Sequence, residues 1–144
     1  MCDDDNDVDD NDRGICSAWD YILLLQMQQY GQTPEDPTYT ALFNACSNSP
    51  WPEDGLRRAS ELRELMATED YQPNMMTYNA MIKVYARFGD IKSAFAVVDE
   101  ALDAGHYPTA TTYSCLLMAC ISDKSAGFKL AIEVCHFLFC LNTV

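Results

Sequence analysis

The sequence predicts an all-α protein, a solenoid of antiparallel helix pairs with about seven helices in total. Three observations carry that expectation. Thr-Tyr recurs at residues 38–39, 77–78 and 112–113, at separations of 39 and 35 residues. A Pro stands four residues before each of these Thr, at Pro34, Pro73 and Pro108. Between these marks, apolar residues recur at helical spacing and are interrupted by Gly. Units of this length repeating in phase indicate a solenoid, in which each unit covers the apolar stripe of its neighbour.

The elements follow in chain order. Residues 1–13 hold seven Asp; the run cannot bury apolar surface and repels itself, so it is expected to be disordered. Residues 14–37 carry CSAWDYILLLQMQQYG, read as the second helix of a partial repeat, ending in a Gly31-to-Pro34 exit. Residues 38–74 form a unit whose first helix opens TYTALFNACSN and whose second is LRRASELRELMA, with NSPWPEDG as an insertion between them. Asp70 holds the place that Gly31 and Gly105 hold, three residues before Pro.

Residues 75–109 are the most regular unit. Tyr78, Met81, Ile82, Tyr85 and Phe88 make a helical stripe, Gly89 stops the helix and Asp90 is placed to cap the next. Ile91, Ala94, Phe95, Val98, Ala101 and Leu102 share a face of the second helix, which Gly105 and Pro108 end. Residues 110–144 repeat the plan with TYSCLLMACIS, a loop SDKSAG and a second helix FKLAIEVCHFLFC.

Composition narrows the function. The net charge is −13, and residues 14–144 alone carry 15 acidic and 8 basic side chains, a poor balance for phosphate attraction. No apolar run reaches 18 residues, so no membrane span is expected, and the N-terminus shows neither signal-peptide nor transit-peptide character. Seven Cys, an odd number without any Cys-x-x-Cys, read as mostly buried free thiols of a reduced compartment. Cys115 and Cys120, like Cys135 and Cys140, are five apart, a turn of about 140° on a helix that places neither pair on one face. No metal or cofactor is expected, and His106 and His136 lie in no recognisable catalytic motif. Phosphate loops, paired catalytic carboxylates and triad signatures are missing, so the chain is not expected to be an enzyme.

The middle unit resembles a pentatricopeptide repeat: Thr-Tyr-Asn opens its first helix, an aromatic follows, a Gly bounds the turn, the second helix is Ala-rich and the exit is Gly-x-x-Pro. The resemblance spans roughly residues 16–141 and leans towards the animal mitochondrial members of that family. The tetratricopeptide repeat is the near competitor, but its Trp is missing from the aligned helices; Trp19 and Trp51 lie outside them. The resemblance implies a right-handed superhelix and non-catalytic binding of single-stranded RNA, one base per repeat, in mitochondrial RNA processing, stability or translation.

It also implies two reading residues per repeat. One is the second residue after the Thr: Thr40, Asn79 and Ser114. The other lies three residues before the next Thr: Asn74 for the first full unit and Thr109 for the middle one, with Glu35 in that place for the upstream half-repeat. Such short amide and hydroxyl side chains both donate to and accept from base edges. By resemblance Thr40 with Asn74 suggests adenine, Asn79 with Thr109 a pyrimidine, cytosine over uracil, and Ser114 a purine. The residue preceding the Thr flanks the base; here Pro37, Met76 and Thr111 stand there, with Met76 the best fit. Lys83 and Arg87, four and eight residues beyond Asn79, are candidates for phosphate contact, and the other units have uncharged residues at those places. The bland reading of a polar residue at a helix start is a cap or a solvated site. The alternative function is a protein-interaction scaffold of tetratricopeptide type, which an electronegative row of first helices would favour.

Overall fold

The computed structural model of the protein describes residues 15–122 and 127–141. The acidic run at residues 1–13 and residues 123–126 of the SDKSAG loop lie outside that range. The described residues form seven helices: α1 (Ile15–Gln29), α2 (Asp36–Ser47), α3 (Pro52–Thr68), α4 (Met75–Arg87), α5 (Ile91–Asp103), α6 (Ala110–Ser122) and α7 (Gly127–Leu141). They divide into two compact units, Met1–Pro34 with α1 and Glu35–Val144 with the other six.

In the second unit α2, α4 and α6 form one row, α4 lying against both of the others. Each first helix pairs with the helix that follows it, and α3 and α5 also reach the next first helix, α4 and α6 respectively. Among the described residues no second helix comes as close to the next second helix; a side-chain pair, Arg63 to Glu100 at 2.6 Å, joins α3 to α5.

The middle helix is therefore enclosed from several directions. Thr77, Tyr78, Ala80, Met81, Ile82, Val84, Tyr85 and Ala86 are all buried. This includes the expected stripe of Tyr78, Met81, Ile82 and Tyr85, while Phe88 is half-buried. Ile82 and Val84 lose all solvent contact, each burial contributing about 1.5–3 kcal/mol. On α5 the buried set is Ile91, Ala94, Val97, Val98 and Ala101; Phe95 and Leu102, expected on that face, are half-buried.

The helix exits explain the Gly-x-x-Pro phase. Gly31 (φ 70°) and Gly105 (φ 84°) are left-handed, and so is Asp70 (φ 51°), the residue standing where those glycines stand. At each exit the next N–H closes a six-residue loop onto the last turn: Gln32 to Met27 at 2.9 Å, Tyr71 to Met66 at 3.0 Å and His106 to Ala101 at 2.8 Å. This bond satisfies a carbonyl that the helix itself leaves unpaired.

Two glycines expected in loops are helical. NSPWPEDG was expected to lie wholly between helices, yet α3 begins at Pro52, with Glu53 and Asp54 in its first turn. Proline at a first helical position and acids beside the helix's positive end are a start signal. Gly55 and Gly127 sit where second helices cross first helices. A Cβ on Gly55 would lie 2.7 Å from the Cys46 carbonyl oxygen, and one on Gly127 would lie 1.9 Å from that of Cys120.

The cysteines divide. Cys46 and Cys120 are buried and Cys115 is half-buried, but Cys135 and Cys140 are exposed, against the expectation of a mostly buried set. They lie about 100° and 120° to either side of the buried Val134 around α7. Among the described residues no three potential metal ligands come together, and no helix is long and apolar enough to cross a membrane.

Candidate nucleic-acid interface

The row α2, α4, α6 presents residues at like positions in succession, and the expected reading residues fall at its repeat junctions. Asn79 is in the second turn of α4, and Thr109 immediately precedes α6. Thirty residues apart in sequence, they meet: Asn79 Nδ2 donates to Thr109 Oγ1 at 3.2 Å. The Thr112 hydroxyl donates to Asn79 Oδ1, and Thr112 Oγ1 accepts from the Thr109 N–H at 3.0 Å. The two threonine hydroxyls are 3.3 Å apart. Thr112 is fully buried, whereas the Asn79–Thr109 pair lies on the exposed side.

The preceding junction repeats this arrangement with different residues. Thr40 Oγ1 lies 3.3 Å from Thr77 Oγ1, and Thr77 reaches Asn74 Oδ1 through its N–H at 3.0 Å and its hydroxyl at 3.4 Å. Thr77, fully buried, stands between the two expected readers, which do not bond directly. Asn74 is also the N-cap of α4, so the bland reading holds for it as a structural fact. Its cap uses Oδ1; Nδ2 is uncommitted among the described residues.

Asp36 completes this junction. Its Oδ1 accepts from the Tyr71 hydroxyl, and at 3.3 Å from both the Asn74 N–H and the Thr77 hydroxyl. Beside it the Tyr39 hydroxyl donates to Glu69 at 2.6 Å, with the Tyr39 and Tyr71 rings 4.7 Å apart. Burial, then the neighbouring carboxylate, pushes both phenols well above their ordinary pKa.

The remaining expected residues are placed as follows. Met76 and Ser114 are exposed. Lys83 Nζ donates to Asn44 Oδ1 at 3.1 Å, so this lysine reaches across the row to the residue at its own position in the preceding unit. Lys83 also lies near Cys115, where it opposes the dominant effect of burial, which raises the thiol's pKa. Arg87 is exposed in the last turn of α4, where a cation is favoured by the helix dipole.

Charge is distributed unevenly. Helices α2, α4 and α6 carry one acidic side chain, Asp36, against Lys83 and Arg87, whereas α3 and α5 alone carry seven acidic residues against four basic ones. The negative balance thus resides on the second helices and the loops. A cavity of about 560 Å³ lies on the other side of α4, walled by residues that include Arg63, Tyr71, Tyr78, Met81, Tyr85 and Glu100. Its arginine is neutralised by Glu100, and none of the expected reading residues faces it.

The junction threonines were visible in the sequence only as phase marks. Their buried hydroxyls are the part of the site that sequence reasoning missed. The signal was present, since a Thr at a fixed offset from a capping residue suits a reciprocal cap.

Comparison with known proteins supports the helical-repeat fold. A model of the PPR repeat family matches residues 73–122. The chain is 39% identical over 134 residues to pentatricopeptide repeat-containing protein 1, mitochondrial, of Homo sapiens, covering 90% of this chain and 19% of that protein. It is 40% identical over 126 residues to the protein of the same name from Rattus norvegicus, covering 84% and 18%. A chloroplastic pentatricopeptide repeat-containing protein of Arabidopsis thaliana is 32% identical over 122 residues, covering 83% and 18%. The chain spans about a fifth of the length of these relatives.

Proposed function

The chain belongs to the pentatricopeptide repeat family, and from that premise we propose that its first-helix row binds single-stranded RNA without catalysis, about one base per repeat. The repeats are residues 38–74, 75–109 and 110–144, with residues 14–37 as the end of a preceding one. Thr40 with Asn74 reads one base, Asn79 with Thr109 the next, and Ser114 begins a third site; Met76 flanks a base and Lys83 and Arg87 meet phosphate. The setting is mitochondrial RNA processing, stability or translation, in keeping with the names of the mammalian relatives.

The observation that carries the reading is the meeting of Asn79 and Thr109 at 3.2 Å. Two side chains far apart in sequence offer one combined set of donors and acceptors on an exposed edge. The charge distribution favours RNA over a protein partner on this row, because its two cations outnumber its one acid.

Fluorescence anisotropy at low salt on a pool of short RNAs tests the proposal. A good base contact is worth about 1–3 kcal/mol, so Asn79→Ala combined with Thr40→Ala is expected to weaken binding by tenfold or more on the preferred sequences. Equal binding by the wild type and the double variant across the whole pool would sink the base-reading claim.

A further inference from the structure

We propose that Thr77 and Thr112, which open the second and third Thr-Tyr pairs, are the positioning residues for the reading pair of the repeat before each. Thr112 holds Asn79 and Thr109, and Thr77 holds Thr40 with Asn74. The inference rests on the base-reading proposal and extends it to two buried side chains that touch no base.

The proton count at the second junction is closed. A threonine hydroxyl has one proton and two lone pairs. Thr112 gives its proton to Asn79 Oδ1. The Thr109 hydroxyl, 3.3 Å away, therefore donates to Thr112, and Thr109 accepts in turn from Asn79 Nδ2. The result is a ring of three hydrogen bonds in which each hydroxyl both gives and receives, an arrangement that strengthens its members. The ring uses one N–H and one lone pair of the Asn79 carboxamide and leaves one of each to face a base. Without it, the terminal torsion of Asn is broad and roughly two-fold, so donor and acceptor would exchange places.

The first junction commits its protons in another way. Thr77 can donate to Asp36 Oδ1 at 3.3 Å or Asn74 Oδ1 at 3.4 Å, neither of which has a proton to give. Thr77 then accepts from Thr40, 3.3 Å away. The single Thr40 proton is turned inward, and Thr40 faces a base as an acceptor. Held as an acceptor, Thr40 can take an amino or ring N–H from a base edge but cannot donate to a ring nitrogen or carbonyl, so the buried hydroxyl contributes to specificity through the residue it holds.

The test measures binding of the wild type, Thr112→Val, Thr112→Ser, Thr77→Val and Thr77→Ser to RNAs varied one position at a time. One net hydrogen bond corresponds to about fivefold in discrimination. Thr112→Val is expected to lower the preference ratio by that factor at the base read by Asn79 and to spare the neighbouring position. Thr77→Val is expected to do the reverse, and each Ser variant to retain the wild-type ratio. A merely structural role would weaken all bases alike and leave the ratios unchanged, which would overturn the inference. Should a Val variant fail to fold, the Asn79 side-chain amide signals of Thr112→Ser and Thr112→Ala decide: both matching the wild type refutes the ring. A wild type without base preference refutes the base-reading proposal itself; a preference that survives in Thr112→Val refutes this inference alone.

Discussion

Replacing Gly127 with Ala tests how tightly the helix pairs are packed. The added Cβ would lie 1.9 Å from the Cys120 carbonyl oxygen and 3.1 Å from its carbon, whereas real Cβ contacts essentially never fall below 3.0 Å. The obstacle is backbone, so α7 must retreat from α6 by roughly an ångström. Overpacking of this kind costs about 1–3 kcal/mol, and Ala recovers up to about 1 kcal/mol over Gly in a helix, less at its first residue. The net expectation is a loss of about 2 kcal/mol. For a chain of 144 residues this lowers Tm by about 7 °C. Gly55→Ala meets the Cys46 oxygen at 2.7 Å and the edge of the Phe88 ring at 2.5 Å. The ring can swing aside, so its loss should be smaller, about 1 kcal/mol. The central pair has Ala94 as far after Thr77 as Gly55 stands after Thr38, and its methyl is fully buried without conflict. Thermal and urea unfolding of the two variants beside the wild type gives the order directly. If Gly127→Ala were as stable as the wild type, or less damaging than Gly55→Ala, the close-approach argument would be wrong.

Three further outcomes are expected. Asp70→Gly should stabilise the chain by about 0.5–1 kcal/mol in urea unfolding, because a left-handed residue with a Cβ is strained by about 1–2 kcal/mol and Gly is not, with part of the gain lost to the freer unfolded chain. Stability should fall in alkali: Tyr39 and Tyr71 have folded pKa values raised above the unfolded value near 10, so their contribution is complete below about pH 10 and is lost as pH rises through the folded values; Tm measured from pH 8 to 11 should drop, and drop less in the Tyr39→Phe, Tyr71→Phe variant. If Lys83 and Arg87 meet phosphate, Lys83→Ala and Arg87→Ala should each flatten the dependence of log affinity on log salt by about 0.7, and an unchanged slope would remove them from the phosphate path.

Most of the architecture was legible because its punctuation is backbone chemistry. Gly31 and Gly105 mark left-handed exits, and the recurring phase puts Asp70, also left-handed, in the matching place. Asp90 caps α5 as expected, accepting from the Ser93 N–H at 3.2 Å. What sequence reasoning misplaced were residues whose local preference is overridden by packing. Gly55 and Gly127 look like breakers, yet they lie in helices, at places where only a hydrogen fits against the neighbouring carbonyl. Cys135 and Cys140 look like core and are exposed, since apolar character alone does not say which face of a helix is covered. The proposed reading residues were named as positions through the phase and the resemblance. Their hydrogen bonds were not, because the Thr112–Asn79 contact joins residues 33 apart, and no local pattern records a distance of that kind.

The contact pattern of the six-helix unit has a mechanical meaning. Along the row, α2, α4 and α6 are packed flank to flank, while α3 and α5 are linked across their gap by Arg63 and Glu100. That pair is partly exposed, and such pairs are worth little, about 0–1 kcal/mol. This six-helix unit therefore resembles a comb with a stiff spine and loosely tied teeth. Bending that opens or closes the gaps between teeth meets little resistance, but stretching the spine would break core packing. The pitch between successive positions on the row is thereby insulated from flexing of the whole, so an array built this way can curve around a ligand while keeping its ruler unchanged.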